Sequence, residues 1–377
     1  MNPTSPEYPG IPNKQGFDFF FGHNCQRQAW NYYPKYLWKD TLKVWLDNEL
    51  IIPGTKDSPT SLQEGVDPYN EESYSGFASK QYAPELMQKE AINFIHENAG
   101  RPFFLYYATP IPHTALQAPK KLVDYYHQKF GDEEPYLGKK GYFPVRYPHA
   151  TFAAMVSYLD VQVGELVSEL KKLGLYENTL IIFSSDNGPA DAGGADSPWF
   201  DSAKPFKCGP GWGKGNLTEG GIRVPMIARW PGKIKPGSTT NYMTAFYDVL
   251  PTLCDIAGIE PPRDIDGISF VPVLLGKENL QKTDHEFLYW EYPASGGQQA
   301  IRMGKWKAVR RQIFKDSLRV RLYNLEEDIQ ELVDVSFEYP KIVKQMELHF
   351  KQEHHVAENE HFRMDELTSL KLSVSEQ

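Results

Sequence analysis

Cysteine is scarce in this chain: three among 377 residues, at Cys25, Cys208 and Cys254. An odd number at wide spacing excludes a disulfide framework and a zinc motif. Long apolar runs are missing too, so no segment approaches the roughly 20 residues of a membrane-spanning helix. Basic residues are outnumbered, 40 against 49 acidic, and the net charge of −9 argues against a general nucleic-acid binder. There is no internal repeat. Segment 1–10 is polar and proline-rich; it resembles neither a signal peptide nor the start of a domain, and reads as a loop entered midway. What is there is an ordinary globular composition, 41% hydrophobic and 24% charged. Twenty-nine glycines and 29 prolines point to many ordered loops. Aromatics reach 14% and many fall in loops, where packing is a commoner role than a platform for sugar or aryl ligands.

Residues 1–83 hold few clear helices or strands. The spacing predicts a helix over 84–98, opened by Pro84, with Met87, Ala91 and Phe94 or Ile95 on one stripe. A continuous apolar strand follows at 103–107, then a short helix over 119–129 and a charged loop to about residue 147. A long helix fits the steps of three and four through Phe152, Met155, Val156, Leu159, Val163, Leu166, Leu170 and Leu173, with Gly174 as its stop. Residues 179–183 are β-branched or apolar throughout and read as a buried strand. Helix, strand, loop, long helix, strand is the rhythm of an α/β sheet with crossover helices. A long glycine-rich loop spans 188–223. A strand at 224–228 and a helix at 246–256 come next. Beyond residue 276 the texture changes to short antiparallel strands at 286–290, 300–303, 306–310 and 319–323, then a helix over 340–353 and a polar tail. The expected division is 1–276 and a smaller α+β domain over 277–377.

The most informative stretch is Ser184-Ser185-Asp186-Asn187-Gly188-Pro189, directly after the strand. In an open α/β sheet, ligands bind at the carboxyl ends of strands. An adjacent carboxylate and carboxamide suit a hard cation such as Ca²⁺ or Mg²⁺, although the same tripeptide also makes an ordinary turn. His113 stands just beyond the apolar run, in Ala108-Thr109-Pro110-Ile111-Pro112-His113. Lys214 stands between glycines in Gly213-Lys214-Gly215-Asn216-Leu217-Thr218-Glu219-Gly220-Gly221-Ile222-Arg223-Val224-Pro225. Asp266-Gly267-Ile268-Ser269-Phe270 follows a helix and a Pro-Pro loop. Taken singly, such a histidine is usually structural and such a lysine usually solvated. His23, His149 and His285 belong to no motif, and packing suits Trp212 and Tyr147 better than a cleft.

In this order, the four segments resemble the sulfatase family, within the alkaline phosphatase superfamily of metal-dependent hydrolases. The likeness runs from about Gly16 to about Asp334, and its most specific pieces are the Lys214 segment and Ser-Ser-Asp-Asn-Gly-Pro. It implies an alkaline phosphatase-like α/β fold: a mixed, mostly parallel sheet flanked by helices, with a smaller C-terminal α+β domain. It implies that Asp186 and Asn187 are ligands of one divalent ion, usually calcium, with magnesium as the other choice. Lys214 would contact the sulfate group, and His113 would sit beside it to help the departing alcohol. The chemistry is coherent. Charge moves to the bridging oxygen as the S–O bond breaks, while cations hold the non-bridging oxygens and an acid protonates the leaving group.

Family sulfatases carry their nucleophile in C-x-P-x-R or S-x-P-x-R, whose cysteine or serine becomes formylglycine. That motif is absent from these 377 residues. Cys208-Gly209-Pro210-Gly211-Trp212 has the proline but tryptophan where arginine is required, and it lies close to Lys214 rather than far upstream. Cys25 and Cys254 lack the proline. The family's paired N-terminal aspartates and its Gly-Lys-Trp-type segment are not found either. The chain therefore resembles the later part of a sulfatase, incomplete at its N-terminus. The expected function is hydrolysis of a sulfuric ester, aryl sulfate or sulfated glycan, with this chain inactive alone. A phosphoester or phosphonate hydrolase of the same superfamily is an alternative, against which the Lys214 segment argues. A non-catalytic glycan-binding protein is another, supported by the missing nucleophile. The resemblance implies a periplasmic or extracellular place for related complete proteins, while the localisation of this chain stays open, with no signal peptide read in its sequence.

Overall fold

The computed structural model describes residues 8–49, 60–138, 141–315 and 318–367. Most of the opening loop segment and of the polar tail thus lies outside the described residues. The chain divides into two compact units, residues 1–177 with 191–196, and residues 178–190 with 197–377.

In the first unit, β1 (Phe21–Gly22), β2 (Tyr36–Lys39) and β3 (Leu42–Trp45) form an antiparallel sheet, with the one-turn α1 (Gln26–Ala29) between β1 and β2. These strands lie in the stretch whose sequence shows little regular structure. Two to four residues are too few to display an alternation. α2 (Ala83–Glu97) begins at Pro84's expected place and buries Ala83, Met87, Ala91 and Ile95, a four-residue repeat that puts them on one face. α3 (Lys120–Phe130) packs against the long α4 (Pro148–Lys172). Pro148 opens α4, where its missing N–H is no loss, and Gly174 just past the end takes φ +71°. Met155 of α4 joins Tyr32, Tyr82, Ile111 and Leu116 in the core, whereas Val156, on the expected stripe, is 44% exposed. The run at 103–107 is not a strand. Among the described residues it has no ladder partner, and Phe104 and Tyr106 are exposed. Apolar and aromatic side chains favour an extended backbone, but a strand exists only through hydrogen bonds to a neighbour.

In the second unit, β4 (Ile181–Ser184) pairs antiparallel with β5 (Met226–Arg229), Ser184 opposite Met226. Between them in sequence lie α5 (Ser197–Phe200) and α6 (Glu219–Ile222), each a single turn. α7 (Val249–Ala257) stops at Gly258, and α8 (Val271–Leu274) follows. The 266–270 segment is structural: the Ile268 and Phe270 N–H groups donate to Asp248 Oδ1 at 2.8 Å and Thr252 Oγ1 at 3.1 Å. β6 (Leu288–Tyr292), β7 (Gln298–Met303), β8 (Trp306–Arg311) and β9 (Arg321–Asn324) then form an antiparallel sheet in sequence order, followed by α9 (Pro340–Glu353). Strand alternation gives this sheet two apolar faces. Ile301, Ala308 and Leu322 meet Met346 and Phe350 of α9 on one face. Ala300, Val309 and Tyr323 meet Leu217 on the other. The second face therefore carries the segment that contains Lys214.

Candidate active site

β4 ends at Ser184, so the next residues leave the ladder and turn. Asp186 is exposed and Asn187 half-buried. Asn187 Nδ2 donates to Asp186 Oδ1 at 3.0 Å, and Ser185 Oγ to the Asn187 carbonyl at 3.1 Å. The turn is also tied to the Lys214 loop. The Gly188 N–H donates to the Gly221 carbonyl, and the Lys214 N–H to the Pro189 carbonyl, both at 2.9 Å. The fit leaves no room for side chains. A Cβ on Gly188 would stand 1.9 Å from the Gly220 carbonyl oxygen, and one on Gly213 would stand 2.2 Å from that of Pro189. These glycines are needed because the two backbones touch.

Lys214 is exposed, and its ammonium forms no ion pair among the described residues. The loop behind it is braced. Thr218 Oγ1 donates to the Trp212 carbonyl at 2.8 Å. Gln298 of β7, 1% exposed, donates from Nε2 to the Gly215 carbonyl at 2.9 Å and accepts at Oε1 from the Leu217 N–H at 3.2 Å. Glu219 is buried among three cations: Lys307 Nζ at 2.8 Å, and Nη1 of Arg302 and of Arg223, each at 3.2 Å. Burial pushes the Glu219 carboxyl up, but Lys307, Arg302 and Arg223 outweigh it and hold the group at about 2. Glu331 Oε2 accepts from the Glu219 N–H at 2.7 Å, and burial pushes the Glu331 carboxyl up to about 7. Sequence reading missed Glu219, Gln298, Lys307 and Glu331. Glu219 lies inside a motif that drew notice for its lysine. The others reach the loop across 81 to 112 residues of chain, a distance no local spacing rule spans.

Comparison with known proteins interprets this arrangement. Residues 1–259 match the family model described as Sulfatase. The chain belongs to the sulfatase family. Sulfatases are sulfuric ester hydrolases, and residues 211–356 of this one match a second model, described as N-sulphoglucosamine sulphohydrolase, C-terminal. The sulfatase is 29% identical to the N-acetylgalactosamine-6-sulfatase of Canis lupus familiaris over 307 residues, 79% of this chain and 48% of that one. It is 36% identical to the arylsulfatase A of Homo sapiens over 218 residues, 56% of this chain and 36% of that one. It thus spans about half the length, or less, of these relatives. Among solved structures, Ps i-CgsB is 26% identical with a TM-score of 0.67, covering 91% of this chain and 68% of that one. The fold is the α/β, alkaline phosphatase-like fold of the solved sulfatases.

His113 belongs to the sulfatase's first unit; Asp186, Asn187 and Lys214 belong to the second. Tyr32 OH lies 2.7 Å from the His113 carbonyl and 2.8 Å from that of Pro110, and so pins the loop. His113 Nδ1 meets the Thr114 carbonyl. A carbonyl only accepts, so Nδ1 carries the proton there and Nε2 is the basic nitrogen of the neutral ring. Two of the histidines outside the motifs have structural partners, whereas His23 Nε2 is buried without a hydrogen-bond partner among the described residues. His149 contacts Glu133 at 2.8 Å and Asp196 at 3.2 Å, and His285 contacts Asp248 at 2.8 Å. Cys208 donates its thiol to the Ser197 carbonyl at 3.3 Å.

Sulfatases as a family use a metal ion and formylglycine. The donors at the turn fit a divalent ion only in part. Asp186 and Asn187 supply at most three side-chain oxygens, whereas calcium takes about six to eight. Among the described residues no three His, Cys, Asp or Glu side chains gather into a metal site. The described residues do not complete the shell.

Proposed function

We propose that this sulfatase chain supplies sulfate-side residues of a hydrolase of sulfated glycans. The observation that carries the reading is the backbone interlock of the Asp186–Pro189 turn with the Lys214 loop, which joins the two most specific motifs in one small region. Asp186 and Asn187 would give two oxygens to a divalent ion, calcium before magnesium. Lys214, a compact point charge, would hold a non-bridging sulfate oxygen. When the S–O bond breaks, its electron pair stays on the bridging oxygen, and His113, as an imidazolium with a second proton on Nε2, would deliver that proton to the oxygen. The attacking group does not come from the residues described here, because no C/S-x-P-x-R motif is present and Cys208 lacks the arginine. The choice of a glycan over a simple aryl sulfate draws on relatives. One is named N-acetylgalactosamine-6-sulfatase, and one solved relative is in complex with k-i-k-neocarrahexaose. A phosphonate monoester hydrolase of Agrobacterium radiobacter shares the fold at 21% identity and a TM-score of 0.53, a likeness of fold alone.

Calorimetric titration of the 377-residue chain with a sulfated disaccharide and its desulfated counterpart tests this. A preference for the sulfated sugar of at least ~10-fold, lost in Lys214→Ala, is the expected result. Equal affinity for the two sugars would leave the glycan-binding alternative and remove the sulfate contact. Nitrophenyl sulfate should not turn over with this chain alone. Turnover abolished by Cys208→Ala would make Cys208 the nucleophile and overturn the assignment.

A further inference from the structure

The deepest charges of the second unit lie under the Lys214 loop. Lys307 is fully buried, Glu219 and Glu331 nearly so, and all three come together where β7, β8 and α6 meet. Burying ions costs desolvation that their attraction seldom returns in full, and apolar replacements are often as stable. Stability is therefore a poor account of this cluster, while geometry is a good one. Gln298 grips the loop at Gly215 and Leu217, on the C-terminal side of Lys214. Lys307 and Glu331 grip Glu219, one by its carboxylate and the other by its N–H. Two residues further, the Gly221 carbonyl receives the Gly188 N–H of the metal-type turn. An unbroken series of buried polar contacts runs from the C-terminal sheet through residues 215–221 to the Asp186–Pro189 turn.

We propose that Gln298, Lys307 and Glu331 are positioning residues, which act through the Lys214 loop and Glu219 to set where Lys214, Asp186 and Asn187 stand. The functional half of this inference rests on the reading of Lys214 as the sulfate contact; the structural half does not. The grip is sensitive to protons. Glu331 faces Glu219 of α6, Lys307 and Arg311 of β8, Arg302 of β7 and Tyr323 of β9. Its Oε1 is buried without a hydrogen-bond partner. Ionisation of Glu331 sets a second carboxylate against Glu219 and competes for Lys307, while it strengthens acceptance from the Glu219 N–H, so the hold on Glu219 shifts from its carboxylate to its backbone as pH rises. The carboxyl's position near 7 places that change in the neutral range.

Hydrogen exchange read by mass spectrometry on the 377-residue chain tests the idea. The double variant Glu219→Gln with Lys307→Met removes the fully buried ion pair and leaves only the solvent-reaching Arg302 and Arg223 without that carboxylate. Amides across 213–221 should exchange at least ~10-fold faster in it, with α9 unchanged. Affinity for a sulfated disaccharide should fall at least ~5-fold, the scale of one coupled contact. Glu331→Gln should abolish a step in that affinity between pH 6 and 8, which a merely structural residue would not move. A folded double variant with unchanged exchange and affinity would overturn the proposal. If it does not fold, Glu331→Gln decides, and an unaltered pH dependence of exchange at 213–221 sinks the idea. If the unmodified chain binds no sulfated sugar, the sulfate reading fails and the exchange results alone judge the positioning role.

Discussion

Lys214 and Asp186 stand on two segments tied by backbone hydrogen bonds yet should fail differently when removed. On the proposed reading, Lys214 would offer a point charge to oxygens that are charged in both ground and transition states. In a form of the protein that turns over, Lys214→Ala should lower kcat/KM by roughly 2–4 kcal/mol, with metal content unchanged. Asp186→Ala should lose the ion, and activity with it. Steady-state kinetics with metal analysis separates the two, and full kcat/KM in Lys214→Ala would return the lysine to the role of a solvated loop residue. At this scale the sequence was partly legible. Asp186, Asn187 and Lys214 sit in short motifs with unusual composition. The reason for their glycines was not visible: Gly213 serves the approach of the Pro189 carbonyl rather than of a ligand. Nor was the role of Glu219, because its partners lie on strands remote in sequence.

Elements follow the same division between local and distant causes. α2, α4, α9 and β6 to β9 lie within a few residues of where the sequence places them, and the helices and β6 to β8 have enough turns or alternations to show a period. β1 to β3 are too short for that, and the 103–107 run has the composition of a strand without a partner. Two glycines give opposed predictions. Gly188→Ala forces its Cβ against the Gly220 carbonyl and should cost about 1–3 kcal/mol, the usual penalty of overpacking, while disturbing the Lys214 loop. Gly164→Ala, in the middle of α4 with nothing within 4 Å of the added carbon, should stabilise by about 0.5–1 kcal/mol. Met155→Ala empties a fully buried site among Tyr32, Tyr82, Ile111 and Leu116 and should cost about 2–5 kcal/mol. Thermal denaturation of the three variants orders them, and a stabilised Gly188→Ala would refute the interlock.

For the whole molecule the buried carboxyls predict how stability depends on pH. Glu331 is raised to about 7 from an unfolded value of 4.5, so its contribution is full below 4.5 and lost as pH rises through 7. Glu219 is lowered to about 2, so its contribution is present above 4.5 and lost as pH falls through 2. These two groups together favour mildly acidic conditions over neutral ones. The Glu331 part amounts to ~3 kcal/mol between pH 4.5 and 8, at about 1.4 kcal/mol for each tenfold change in proton affinity. Glu331→Gln should flatten the alkaline side of a melting-temperature profile and leave the acid side intact. A wild-type profile that rises from pH 5 to 8, with Glu331→Gln parallel to it, would show that Glu331 is not held protonated.

By itself the sequence determined the α/β class, the longer helices and strands after residue 84 apart from the strand expected at 103–107, the family, and the candidate residues Asp186, Asn187, His113 and Lys214. All of these are written in contiguous residues: periods of 2 and 3.6, glycine and proline stops, and motifs a dozen residues long. The tertiary structure alone decided that the Lys214 loop lies against the Asp186 turn through backbone contacts that exclude a Cβ. It alone decided that the C-terminal sheet spends its second face holding that loop, and that Glu219 meets Lys307 and Glu331 in its interior. Such facts depend on which surfaces meet when apolar faces are buried, and burial brings together residues that no sequence window contains.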